Sequence, residues 1–78
     1  MKDINNIDQQ YERERIGKRI ADLRISLGMT QAELAERAGL KQQNIGRIEL
    51  GKYSTGQDIL SVVSAALGGR LDIVKDNV

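Results

Sequence analysis

Between residues 42 and 47 the chain reads Gln42-Gln43-Asn44-Ile45-Gly46-Arg47. Side-chain amides carry a donor and an acceptor side by side, the pattern that pairs with the major-groove edge of adenine. A guanidinium offers two parallel donors, which suit guanine. Each such bidentate pair separates the right base from a wrong one by ~1–3 kcal/mol. Polar residues on a helix are more often merely solvated, so the cluster carries meaning only if the surrounding chain holds it outward.

The flanking residues supply that support. Thr30 is an N-cap and Glu33, three residues later, completes a capping box. Met29 and Leu34 are spaced for a hydrophobic staple across the same helix start. Ala32, Leu34, Ala35 and Ala38 favour a helix, and Gly39 sits where a left-handed residue would end it at Ala38. A second short helix runs from about Lys41 or Gln42 to Leu50 and stops at Gly51. Ile45 and Ile48, three apart, share its inner face. Gln42, Gln43, Asn44, Gly46 and Arg47 are left for the other faces. Gly46 lowers helix stability by ~1 kcal/mol relative to alanine, and a missing side chain there would let backbone approach a ligand. Two helices joined by a tight glycine turn form a helix-turn-helix.

This stretch resembles the Cro-type helix-turn-helix family (lambda-repressor-like, xenobiotic-response-element type) of phage repressors and small bacterial regulators. The resemblance covers about residues 16–67. It rests on Gln31 after the cap, Ala35, Gly39, Ile45 and the closing Ile48-Glu49-x-Gly51-Lys52, all in gapless register. It implies an all-α bundle of four to five helices whose third helix enters the major groove of double-stranded DNA as part of a symmetric dimer. Position by position, it implies that Gln31 anchors a phosphate and braces the first base-reading side chain. Gln42, Gln43 and Arg47 match base-contacting positions, with Asn44 at their edge, and Lys52 matches a backbone contact. Arg24 and Glu49 match an internal salt bridge between the first and third helices. Two departures stand out. Lys41 replaces a common serine or threonine cap and is assigned to phosphate contact, and Leu50 replaces a commonly polar residue.

Composition excludes other classes. The 78 residues contain neither Cys nor His. Disulfides, thiolate nucleophiles, cysteine metal sites, most zinc chemistry and imidazole acid–base catalysis are thereby removed. No positioned nucleophile–base pair or glycine-rich phosphate loop is present, so the reading is a non-enzyme with no cofactor and no metal. No apolar run approaches the ~20 residues of a membrane span, and a cytoplasmic location follows as the expectation. Net charge is only +1. Nine Lys and Arg against five acids leave +4 between residues 13 and 52, while residues 1–12 carry −2 and residues 53–78 carry −1. The positive charge thus lies on the segment that would face phosphate.

Three units are expected. Residues 1–10 form a polar, flexible arm. Residues 11–69 form the DNA-binding domain, with a first helix from about Tyr11 to Leu27 buried along Ile16, Ile20, Leu23 and Leu27 and stopped by Gly28. Thr55 with Asp58 is a second cap signature, opening a helix to about Leu67 with a core stripe of Leu60, Val63 and Leu67. Ile59, Val62 and Ala66 form another stripe, which either the tail or a second copy would cover, the second being preferred. In the tail, residues 70–78, Leu71 and Ile73 alternate with Arg70 and Asp72 as in a strand. A lone strand needs a mate, and the same segment of a second copy can supply one across a two-fold axis. A short fifth helix is the alternative. Dimerisation is accordingly assigned to Ile59, Val62, Ala66, Leu71 and Ile73. The swapped strand resembles an antitoxin branch of the family, so the second functional reading is an interaction module that neutralises a toxin partner and autoregulates its operon.

Overall fold

The computed structural model describes residues 8–76. Four helices follow one another: α1 Gln9–Ser26, α2 Gln31–Ala38, α3 Gln42–Glu49 and α4 Gln57–Ala66. The described residues contain no strand. The centre is built by Ile20 of α1, Met29, Leu34 and Ala35 at and in α2, Ile45 and Ile48 of α3, and Val63 of α4. Leu34, Ile45 and Val63 are wholly enclosed, and each such side chain contributes about 1.5–3 kcal/mol of burial.

The helix starts differ from one another. The Asp8 side chain accepts from the Tyr11 amide at 3.0 Å and caps α1, so the helix opens at Gln9, two residues ahead of the start expected near Tyr11. The remainder of the expected arm lies outside the described residues. At α2 both halves of the capping box form, Thr30 N to Glu33 Oε1 and Glu33 N to Thr30 Oγ1, each 3.0 Å. These bonds from Thr30 hold the Glu33 carboxyl below its ordinary range, the backbone donor contributing most. Thr55 does not cap α4. The cap is Gly56, with no side-chain bond, so Asp58 falls at the second helical position rather than the third, and the box is out of register. Asp58 still sits in the first turn, where the helix dipole favours an anion.

The α1 stripe is shorter than its periodicity suggests. Leu27 is exposed because α1 ends at Ser26 and the chain turns through Leu27 and Gly28, placing Met29 in the core instead. Gly17 is buried where sequence periodicity singles out nothing. A Cβ there would strike the carbonyl oxygens of Ile48 and Glu49, so the missing side chain is what lets α1 close on the last turn of α3. About two turns toward the N-terminus, Gln10 donates to the Gly51 carbonyl at 3.2 Å. Gly51 itself has φ +71 and lies against Glu14, so both the conformation and the space require glycine.

The second stripe of α4 is largely absorbed. Ile59 and Ala66 pack against the core, because α2 lies along α4 and covers more than a single row of its residues; Val62 remains exposed. The tail from Gly69 to Asp76 forms neither strand nor helix in the single chain. Its amides find no ladder partner, and Ile73 N bonds instead to the Asp72 carboxylate at 2.8 Å. Leu71, Ile73 and Val74 are exposed, and the tail does not cover α4's outer face. No described helix is long and apolar enough to cross a membrane.

Candidate nucleic-acid interface

The turn that presents α3 is set by Gly39, which adopts φ 70 and ψ 31 at the end of α2. Gly39 N and Leu40 N return to Glu36 O and Ala35 O at 3.3 and 2.9 Å, satisfying the last carbonyls of α2. Leu40 packs against the core and leads directly into Lys41, the N-cap of α3. Lys41 makes no side-chain cap bond, which leaves the first amides of α3, with their share of positive dipole, open to an anion.

From there the helical period sorts the residues. Ile45 and Ile48 are buried, and Gln42, Gln43 and Arg47 are exposed. Asn44 is half-buried at the margin of that face. Gln43 and Arg47 are four apart and therefore neighbours on the helix surface. Lys52 is exposed just past α3. Lys41, Arg47 and Lys52 make no ion pair among the described residues, whereas on α1 Arg15 pairs with Glu12 at 2.9 Å and Lys18 with Asp22 at 3.1 Å. The cations at α3 therefore keep their full field, while those of α1 are partly neutralised.

Behind the face lies a buried ionic cluster. Arg24 Nε and Nη2 donate to Glu49 Oε2 and Oε1 at 2.7 and 3.0 Å. Arg24 Nη1 also donates to Met29 O at 2.8 Å, so one guanidinium ties together α1, the entry to α2 and the end of α3. The two side chains are 13% and 5% exposed, and the bond to Glu49 raises the Arg24 pKa above its already high ordinary value. Gln31 Nε2 donates to Glu49 Oε1 at 2.9 Å, bringing α2 into the same cluster.

Gly46 lies beside Gln31 on the edge of α3. It is half-buried, and a Cβ added there would rest 3.7 Å from Gln31 Oε1. That is ordinary contact, so the packing inside the protein does not itself demand glycine at this position. Sequence reasoning also passed over Gln10, whose oxygen accepts from Arg13 at 2.8 Å while its nitrogen holds the Gly51 carbonyl. The aspartate at position 8, a good N-cap with Glu12 in the first turn, was the signal that helix α1 reaches that far.

Among the described residues no cluster of three or more acids could hold a metal ion. What the arrangement can do is bind an extended polyanion along α3 and inspect it with two amides and a guanidinium. The helix-turn-helix family pattern matches residues 20–74. An HTH-type transcriptional regulator of Methanothermobacter thermautotrophicus is 43% identical over 49 residues, which span 63% of this chain and 71% of the relative. One from Archaeoglobus fulgidus is 32% identical over 54 residues, 69% of this chain and 77% of that protein. Among solved structures, the restriction-modification controller protein C.AhdI from Aeromonas hydrophila superposes with a TM-score of 0.75 at 25% identity, covering 77% of this chain and 91% of the controller.

Proposed function

The chain belongs to the helix-turn-helix family of DNA-binding transcriptional regulators, and from that premise we propose that it is a repressor. In this reading it binds a palindromic operator in the cytoplasm as a homodimer, with α3 of each copy in the major groove. The observation that carries the proposal is the split of α3: Ile45 and Ile48 lock its back into the core while Gln42, Gln43 and Arg47 stand exposed. Gln42, Gln43 and Arg47 read base edges, with Asn44 at the margin. Gln31, Lys41 and Lys52 take phosphates and set the register. Two copies of α3 about 34–36 Å apart would meet half-sites one helical turn apart.

Dimerisation falls to the apolar groups the single chain leaves in water. Val62, Leu71 and Ile73 are 41%, 40% and 96% exposed. Ile59 and Ala66 contribute only their outer edges, since they also serve the core. Antiparallel pairing of residues 70–75 with the same segment of a second copy would satisfy the tail's amides and cover Val62. A toxin-partner reading rests on an uncovered second stripe and a terminal strand; most of that stripe turns inward and residues 70–76 form no strand in the single chain, so the regulator reading is the one retained.

Selection of sites from random duplexes at a fixed salt concentration tests the proposal, and a two-fold symmetric consensus is expected. On that consensus, Arg47→Ala should relax preference at one base position by about 1–3 kcal/mol. Lys52→Ala should weaken all sequences alike and flatten the salt dependence by about 0.9 in slope per half-site. An equal loss on every sequence from both variants would remove the assignment.

A further inference from the structure

We infer that Arg13, on α1 and outside the helix-turn-helix, grips a DNA phosphate next to the one held by Lys52. The footprint then extends past the end of α3. This deepens the proposed function and rests on α3 being the reading helix.

The exit from α3 brings little charge of its own. After Lys52 no Lys or Arg follows until Arg70, although each DNA strand carries one phosphate charge per ~3.4 Å of axis. The fold supplies a cation from elsewhere. Lys52 N bonds to Arg47 O at 2.9 Å, which pins the exit turn to α3. The carbonyl of the peptide joining Gly51 to Lys52 accepts from Gln10 Nε2 at 3.2 Å. The oxygen of the same amide accepts from Arg13 Nη2 and Nε at 2.8 and 3.2 Å. One amide and its hydrogen bonds therefore separate the Arg13 guanidinium from the exit turn. Arg13 also lines one hollow with Tyr53, Ser54 and Thr55, the residues that follow Lys52.

The charge on Arg13 is free to act. Arg15 and Lys18 are paired with acids, whereas Arg13 forms no ion pair among the described residues. Its partner Gln10 is neutral, so the hydrogen bonds between them compensate none of the charge. Nη1 makes no hydrogen bond among the described residues, which leaves that side of the fork for a phosphate oxygen. Of the acids close by, Glu12 lines the same hollow but is paired with Arg15, and Glu14 accepts from Gln10 at 3.0 Å. A guanidinium already fixed through two of its nitrogens gives up little freedom when a phosphate docks.

The test measures dissociation constants on the selected operator over a range of salt concentrations. At one concentration it adds operators carrying a single uncharged methylphosphonate at each flanking phosphate in turn. The proteins are wild type, Arg13→Gln, Arg13→Lys, Lys52→Ala and Arg19→Gln, the last removing another exposed α1 cation for comparison. Wild type should be weakened by neutralising either of two adjacent phosphates. Lys52→Ala should become indifferent to one of them and Arg13→Gln to the other. Arg13→Gln should also lower the salt slope by about 0.9 per half-site, so over two half-sites its deficit shrinks about tenfold between about 50 and 200 mM salt. Arg13→Lys should recover both the slope and the phosphate, and Arg19→Gln should leave the phosphate map unchanged. An Arg13→Gln protein with the wild-type map would overturn the inference while leaving DNA reading in place. So would one that loses the Lys52 phosphate as well, because Arg13 would then only brace the exit turn. A wild-type chain that favours no duplex sinks the DNA-reading assignment itself, and this proposal with it.

Discussion

Gly17→Ala places two well-known effects in opposition. In an exposed helix interior the change would stabilise by ~1 kcal/mol, since glycine is the poorer helix former. At position 17 the new Cβ meets backbone, 2.7 Å from the Glu49 carbonyl oxygen and closer still to that of Ile48. Carbonyls in the last turn of a helix cannot rotate away as a side chain can, so α1 and α3 must separate. Overpacking costs typically ~1–3 kcal/mol, and a backbone obstacle belongs at the upper end. The net expectation is a loss of about 2 kcal/mol. For a domain of 60–100 residues, each kcal/mol moves Tm by about 4–8 °C, so melting should fall by about 10 °C. Gly46→Ala is the control, because its Cβ would make only ordinary contact with Gln31; it should gain about 0.5–1 kcal/mol. Thermal and urea unfolding followed by circular dichroism read both variants. If Gly17→Ala melts at or above wild type, the close approach of α1 to α3 is wrong, and so is the packing that aims the reading helix.

Three other expectations follow from particular contacts. Arg24→Met or Glu49→Met alone should cost roughly 3–5 kcal/mol, because each strands a charge at a nearly closed site, while the double variant should cost less than either single; urea titration of the four proteins in the cycle reports the coupling. The Glu33 carboxyl titrates below its ordinary value of 4.5, so its contribution to stability is fully present above that value and is lost as pH falls through the lowered one. The stability difference between wild type and Glu33→Gln should therefore shrink on acidification below about pH 5 and stay constant from there to neutrality, as read by thermal melts across that range. Val62→Glu combined with Ile73→Asp should yield a monomer by light scattering with helical content unchanged; a dimer that survives the pair would place the interface elsewhere.

The short helices and their ends were legible from the order of residues because the groups responsible are neighbours in the chain. Thr30 meets Glu33 three residues on, Gly39 ends its own helix, and Ile45 and Ile48 share a face through the helical period alone. An outward Gln42, Gln43 and Arg47 follows from those two isoleucines with no knowledge of what they pack against. The Arg24–Glu49 pair was anticipated only through family resemblance, since 25 residues separate the partners. Other features depend on how helices cross, and no local pattern encodes that. Gly17 is needed only because α3 ends there, Gln10 reaches a carbonyl 41 residues away, and Leu27 loses its place in the core to Met29 because the chain turns a residue too soon. Helical periodicity names the face a residue occupies, but packing decides how much of that face is covered. For that reason Ile59 and Ala66 went inward and Val62 did not, and the bond from Gln31 to Glu49 came into view only when three helices were brought together.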